Sequence, residues 1–318
     1  MELKIKILKL SAGLPVAIIN QKTAEKIGVH PQDRITIKTL SGPRKEISVV
    51  TDVIKEIVRQ DELAVSSELK DIMGLRVGEK IEVNLSRPIL SVDLIRKKLN
   101  GHRLNEKEIS IIIKDIVYNY LSEPEIALFV SAVNRYGMDS EELIYLIKAF
   151  SKSGTNLSLK NKFVVDKHSI GGIPGNRTTP LVVSICASAG LIMPKNSSRA
   201  ITSPAGTADV IETIARVEFS MEEVKKIIKK TNACMIWGGA LGVVPADTKI
   251  IWVEKSLKID PKPMLIASIM SKKLAAGSKY ILIDIPYGKG AKVTKKEALI
   301  LKKFFELLGK YFKRKIKC

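Results

Sequence analysis

The hydrophobic rhythm of the chain changes twice along its length. Over residues 3–10, 16–19, 34–39, 46–50 and 80–85, apolar side chains alternate with polar ones or form short blocks between turns. Leu3, Ile5 and Ile7 are interleaved with Glu2, Lys4 and Lys6, a period of two that belongs to a half-buried strand. Residues 1–87 are therefore expected to form a compact β-rich module. Arg87-Pro88 ends it, because proline restricts the residue before it and cannot continue a ladder.

From residue 91 to 150 the apolar spacing shifts to three and four. Asn105 with Glu108, Ser122 with Glu125 and Asp139 with Glu142 supply capping pairs, so three or four amphipathic helices are expected here. A polar connection over residues 151–160 leads to Phe163-Val164-Val165, which reads as a buried strand, and to a helix over residues 178–189. A second strand spans residues 280–285 and is closed by Pro286. The last helix starts at Lys295 and packs through Ala298, Leu301, Phe305 and Leu308. The expected fold is multidomain α/β: a β-rich module over 1–87, a helical domain over 88–153 with about 245–276, and an α/β domain over 154–244 with 277–318.

Composition narrows the class. A chain of 318 residues with 45% hydrophobic and 27% charged residues can bury several cores. Its longest apolar stretch, residues 181–193, is interrupted by Ser184, Ser188 and Gly190 and is too short and polar to span a bilayer. With an alternating rather than signal-like beginning, a cytoplasmic protein is expected. Cys186, Cys234 and Cys318 share no motif spacing and read as reduced and structural, so neither a metal nor a cofactor is expected. The net charge of +20 suits an anionic partner. The lysines are nevertheless scattered among glutamates, and aromatics make up only 5%, which argues against nucleic acid as the partner. The basic run 313–317 reads as a solvated tail.

Two segments carry candidate chemistry. Asp166-Lys167-His168-Ser169-Ile170-Gly171-Gly172 continues to Thr179 between a strand and a helix. Glycines admit a ligand to the backbone, and Lys167 and Ser169 add a cation and a donor, which together make an anion cradle. A glycine-rich turn of this sort also serves as a plain tight connection. In the second segment, Ser198-Arg199-Ala200-Ile201-Thr202-Ser203 is followed by Thr207-Ala208-Asp209 and Glu212. Such a density of hydroxyls needs water or a polar ligand.

Together these segments resemble the pyrimidine-nucleoside and thymidine phosphorylase family, with its Lys-His-Ser-x-Gly-Gly loop and its Ser-Arg-Ala to Gly-Thr-x-Asp-x-x-Glu signature. The similarity runs from about residue 91 to 293, through Met235-Ile236-Trp237-Gly238-Gly239, Pro245-Ala246-Asp247 and Ser268-Ile269-Met270-Ser271-Lys272-Lys273. It is strongest to the archaeal AMP-phosphorylase branch, whose members add an N-terminal module resembling a double-psi barrel. Val253 stands where thymidine phosphorylases carry a base-holding arginine, which argues against thymidine as substrate.

The resemblance implies phosphorolysis of nucleoside 5'-monophosphates, chiefly AMP, with inorganic phosphate as co-substrate, in nucleotide salvage. It carries nucleotide contacts onto Gly172, Ser198, Arg199, Ala200, Ile201, Thr202, Ser203, Thr207, Ser268 and Lys292. Lys167, Ser169, Ser198 and Thr207 would cradle phosphate, and Lys272 would reach the base or phosphate region. Asp260 takes the role of proton donor, although by itself it also reads as a helix cap before Pro261. His168 is either a second donor or a shaper of the anion site. A homo-oligomer formed through the helical domain is implied as well. A pyrimidine-nucleoside phosphorylase, or a catalytically dead nucleotide-binding remnant or partner subunit, are the competing readings. Members of the family continue well past residue 318, so the α/β domain is expected to be incomplete.

Overall fold

The computed structural model describes all residues except 9–10, 12–14, 43–44, 87–88, 158, 160–162, 172, 174–177, 201–204 and 240. Two compact units result: residues 1–93 with 118–122, and residues 94–117 with 123–318.

The first unit contains β1 (Glu2–Ile7), β2 (Val16–Asn20), α1 (Gln21–Ile27), β3 (Arg34–Thr39), β4 (Glu46–Ile54), β5 (Glu62–Val65), α2 (Ser67–Met73) and β6 (Lys80–Leu85). The strands close into a barrel in the order β1-β5-β2-β4-β3-β6. Parallel pairs β1/β5 and β2/β4 are set among antiparallel ones. Closure leaves no free strand edge. Leu3, Ile5, Ala17, Ile19, Ile35, Ile37, Val49, Leu63, Ile81 and Val83 fill the interior, as their period of two requires. Three elements go beyond the strands expected from the sequence. Strand β5 is a four-residue run, and α1 and α2 are single short helices, capped by the Asn20 and Ser66 side chains and ended by Gly28 and Gly74 in left-handed conformation. The capping chemistry was present in the sequence, but each helix is too short to show a period.

The second unit opens with the helices α3 (Leu90–Leu99, whose first turn lies before residue 94), α4 (Glu106–Val117), α5 (Glu123–Tyr136) and α6 (Ser140–Lys152). It continues through β7 (Val165–Ser169), α7 (Thr178–Ser188), β8 (Met193–Ser197), α8 (Thr207–Glu212), α9 (Met221–Thr231) and β9 (Ala233–Trp237). The remaining elements are α10 (Pro245–Leu257), α11 (Lys262–Ala275), β10 (Tyr280–Asp284), α12 (Lys295–Tyr311) and β11 (Lys315–Lys317). Helices α10 and α11 leave the α/β part and pack on α4, α5 and α6, so the bundle is discontinuous in sequence. Ile109, Ile112, Ile113 and Ile116 of α4, Phe129 and Val133 of α5, and Leu143, Leu146, Ile147 and Phe150 of α6 are buried. Two of the anticipated boxes are seen: Asn105 with Glu108, and Asp139 with Glu142, each exchange two hydrogen bonds.

Parallel strands β11, β10 and β7 form one ladder and β8 with β9 another. The bridge Val164–Ile192 and the Val165 N–H to Ile192 carbonyl bond link them into the order β11-β10-β7-β8-β9. The chain starts in the middle at β7, adds β8 and β9 on one side, then β10 and β11 on the other. That reversal of winding is where open α/β sheets bind ligands, outside the carboxyl ends of the strands.

Two expectations are corrected here. The strand placed at residues 163–165 begins at Val165 and runs to Ser169, so Asp166, Lys167, His168 and Ser169 are strand residues and not loop. Phe163 is exposed, whereas Val164 is buried and bridged to Ile192, so the apolar triplet leads into the strand and only Val165 belongs to it. The basic run 313–317 is not simply a solvated tail, because Lys315–Lys317 pairs in parallel with β10.

Candidate active site

Lysine is seldom buried unless paired, yet at the strand ends Lys167, Lys195, Lys272 and Lys273 are each 5% exposed or less. The deepest contact is Lys273 Nζ to Asp166 Oδ2, 2.7 Å, with both side chains fully enclosed. Asp166 Oδ1 accepts from the Lys167 backbone N–H at 2.8 Å. Lys167 Nζ donates to Thr178 Oγ1 and pairs with Asp284 Oδ2, each at 3.1 Å, tying β7 to the start of α7 and the end of β10. Lys195 Nζ donates to the Asn196 carbonyl at 3.1 Å. Burial, reinforced by neighbouring amines, pushes Lys195 well below the usual lysine range and also lowers Lys273. His168 lies in the same field. Burial first, then the charges of Lys273, Lys195, Lys272 and Lys167, hold its imidazole well below the ordinary value, so it is neutral at neutral pH. Its Nδ1 is enclosed and has no hydrogen-bond partner among the described residues.

Lys272 joins the α/β part to the bundle. Its ammonium donates to Ser198 Oγ (2.6 Å) and Ser268 Oγ (2.9 Å) and pairs with Asp247 Oδ2 (2.8 Å). Three acceptors occupy its three N–H groups. Because both hydroxyl oxygens accept from the ammonium, their O–H groups are left to donate elsewhere. Ser169 is arranged likewise, its Oγ accepting from the Gly171 N–H at 3.3 Å. Two serine donors backed by one buried amine, with a third held by a backbone N–H, have the chemistry to receive an anion.

Asp260 lies between α10 and α11, and its Oδ2 accepts from Lys292 Nζ at 2.5 Å. Its Oδ1 is buried with no partner among the described residues. Gly171, at φ +82°, brings the β7 turn against Lys292: a Cβ there would lie 3.8 Å from Lys292 Cε. The carboxyl group and its lysine therefore stand beside the anion-binding turn.

The neck of the second loop is closed by Asp209, whose Oδ2 accepts from the Ala200 N–H (2.9 Å) and the Gly206 N–H (2.8 Å). Gly206 is required for this approach, since a Cβ would stand 2.7 Å from the Ser198 carbonyl oxygen. The Arg199 guanidinium is held by Glu212, Asp209 and Glu218 and lies 4.5 Å from the Trp237 ring centre. Its side chain thus braces the loop and also lines a cavity beside Ser198. Thr207 begins α8 at the far side of this neck. Gly172, Ile201, Thr202 and Ser203 lie outside the described residues.

A cavity of about 500 Å³ opens beside Ser198 and Lys272, lined also by Trp237, Asp247 and Trp252. Asn196 and Ser197, at its wall, are buried with side-chain polar atoms unpartnered among the described residues. The sequence reading missed Asn196, Ser197, Lys195, Asp247, Lys273 and Asp284. Lys272-Lys273 within the apolar run of α11 was the available signal, since lysines inside an apolar helix seldom occur without a partner.

Comparison with known proteins places this geometry in a class. Residues 92–154 match the helical bundle domain, and residues 161–299 the a/b domain, of the glycosyl transferase family. Together these cover more than half of the chain, which belongs to this family. A curated relative named AMP phosphorylase, from Pyrococcus furiosus, is 45% identical over 308 residues, covering 96% of this chain and 60% of the relative. Those from Thermococcus kodakarensis and Methanococcus vannielii are 44% and 40% identical, covering 98% and 99% of this chain and 61% and 62% of the relative. The chain thus spans about three fifths of the length of these relatives. Anthranilate phosphoribosyltransferase from Thermus thermophilus shares the fold, with a TM-score of 0.56 at 19% identity over 68% of this chain and 63% of that one.

Proposed function

We propose that this chain carries the centre at which inorganic phosphate cleaves the glycosidic bond of a nucleoside 5'-monophosphate, AMP above all, giving free base and ribose 1,5-bisphosphate. The observation that carries this reading is Lys272. One buried ammonium turns the hydroxyls of Ser198 and Ser268 outward from two different parts of the unit, beside the Lys167 and Ser169 strand end. Two phosphate groups meet in such a reaction, and donors from two structural elements suit it. The names of the relatives favour a nucleotide over a nucleoside.

The chemistry follows from the positions. Phosphate attacks the anomeric carbon from the face opposite the base, so Lys167, Ser169 and Ser198 would hold it in line and offset its charge. The ribose gains oxocarbenium character as the bond to the base lengthens, and the departing base must take a proton. Asp260, paired with Lys292 in the resting site, would take up a proton when Lys292 turns to the 5'-phosphate and would pass it to the departing base. Neutral His168 would serve as a hydrogen-bonding wall of the anion site and not as its cation. Inorganic phosphate is a co-substrate, and the reaction as drawn uses no metal or cofactor.

Exposed Leu128 and Tyr136 on α5 and Trp252 on α10 favour a homo-oligomer built through the bundle. No helix among the described residues is long and apolar enough to cross a membrane, in keeping with a cytoplasmic enzyme.

The test is adenine release from AMP by the 318-residue chain, with and without phosphate, beside adenosine, thymidine and an Asp260→Asn variant. Phosphate-dependent release from AMP, lost in the variant, supports the reading. Turnover of thymidine in preference to AMP would replace it with a nucleoside phosphorylase. AMP binding in calorimetry without release would replace it with a nucleotide-binding subunit.

A further inference from the structure

Glu254, on α10, is a buried acid that no step above uses. It is 2% exposed, and its Oε1 is enclosed with no hydrogen-bond partner among the described residues. A carboxylate in that state is costly, whereas a carboxylic acid is far less so.

Its surroundings make the point by charge count. The groups acting on it are Asp247, seven residues earlier on the same helix, Asp260 in the following turn, Lys272 of α11 and Lys292 of the turn after β10. Asp247 is paired with Lys272 at 2.8 Å, and Asp260 with Lys292 at 2.5 Å. Two cations are thus matched to two carboxylates, and Glu254 is the third carboxyl group, with no cation partner of its own among the described residues. Were all three ionised, the cluster would carry a net negative charge beside the loops that must receive phosphate. With the proton on Glu254, it is balanced.

We propose that Glu254 is a positioning residue of this site that stands as a neutral carboxylic acid, leaving Lys272 and Lys292 matched one-for-one to Asp247 and Asp260. This role rests on the anion-binding reading of the site and adds to it. Burial, then the charges of Asp247 and Asp260, push Glu254 up to about 9, against the opposing pull of Lys272 and Lys292. Above that pH its carboxylate draws on both lysines. The hydroxyls of Ser198 and Ser268 lose their orientation, and bound phosphate is repelled.

The experiment follows Glu254 directly. Infrared difference spectra of wild type and Glu254→Gln, recorded on the full chain, look for a protonated-carboxyl C=O band. The band is expected in the wild type at pH 7.5, to be missing in the variant, and to titrate away near pH 9. Calorimetry with inorganic phosphate adds a second readout. Wild-type affinity is expected to fall about tenfold between pH 8 and 10, equivalent to one pKa unit of differential interaction, while the variant shows no such fall. Absence of the band at pH 7.5, or superimposable pH profiles of the two proteins, overturns the proposal. Neither measurement requires turnover. A chain that keeps the band but does not phosphorolyse AMP refutes the proposed activity and leaves Glu254 standing. If the variant fails to fold, the titration of the wild-type band decides alone.

Discussion

Asp166 and Lys273 provide the sharpest test of how the strand ends are held. Both side chains are fully enclosed and bonded at 2.7 Å, and Lys195 is close enough for the same carboxylate to act on it. Asp166→Asn keeps the shape and removes the one charge that balances two buried amines. Breaking a buried ion pair from one side costs about 3–5 kcal/mol. The lower end is expected here, because burial already lowers Lys273 and a lysine left alone can shed its proton. At roughly 2–4 °C per kcal/mol for a unit of this size, the variant should melt about 6–12 °C below wild type. Asp166→Asn with Lys273→Met removes the pair together and should return to within about 2 kcal/mol of wild type, since apolar replacements of buried pairs are often near neutral. The sign with pH is fixed too. A lysine lowered in the folded state and ordinary in the unfolded one makes stability rise with pH between those two values, so the Asp166→Asn deficit should shrink from pH 7 to 10. Urea unfolding at several pH values measures all of this. A single-variant loss under about 1 kcal/mol, or a double variant no better than the single, would refute the view of Asp166 as the sole charge that balances these amines.

In the bundle, Glu142 accepts from Lys98 Nζ at 2.7 and 3.0 Å and from the N–H groups of Leu104 and Asp139. Lys98→Met should therefore cost about 3 kcal/mol in urea unfolding, and adding Glu142→Gln should recover part of it; strictly additive losses would count against the pairing. Gly154→Ala would place a Cβ 2.2 Å from the Gly242 carbonyl oxygen and 2.5 Å from Pro245 Cδ, neither of which can swing aside, so a loss of about 2 kcal/mol or more is expected and one within about 0.5 kcal/mol would contradict the contact. Asp209→Asn weakens the hold on both stems of the 200–206 loop; KM for phosphate and nucleotide should rise about tenfold with melting changed little, as one lost charge-assisted bond implies, and a pure kcat effect would show the neck to be unimportant for binding.

The sequence carried the elements whose residues repeat and whose ends are chemically marked. The isoleucines of α4 announce their helix by spacing, and Asn105 and Asp139 announce where helices begin. Strand β7 was harder because its sequence runs against its conformation. Asp166-Lys167-His168-Ser169 is polar throughout, and only pairing with β10 on one side and the approach of β8 on the other keeps it extended. Strand β11 was hidden for the same reason: lysines at both ends conceal Ile316, which packs on Gly309. Within the site, the motif residues were legible one by one, but their division of labour was not. Arg199, in the most conspicuous motif, braces the loop through Glu212, Asp209 and Glu218, while Asp209, visible only as part of a signature, closes its neck. Such roles depend on distances across the fold that no local spacing encodes.

The charge of the chain was the least transparent feature. A net charge of +20 spread over many lysines reads as a surface property, and for most of them it is. Five lysines among the described residues are buried, however, and four of these converge at the carboxyl ends of the central strands. Surface lysines attract any polyanion and are screened by salt within about 10 Å. Amines held in the interior attract only what can enter, and they do so in a medium where charge acts strongly. Each is also partly neutralised, by Asp166, Asp247 or Asp284, so the site is not flooded with positive charge before its ligand arrives. What remains is a set of fixed donors: Ser198 and Ser268, oriented by the Lys272 ammonium, and Ser169, whose Oγ is held by the Gly171 N–H. On the proposed reading, a preference for small phosphate-bearing ligands over nucleic acid would follow from where the lysines are, and the count alone could not reveal it.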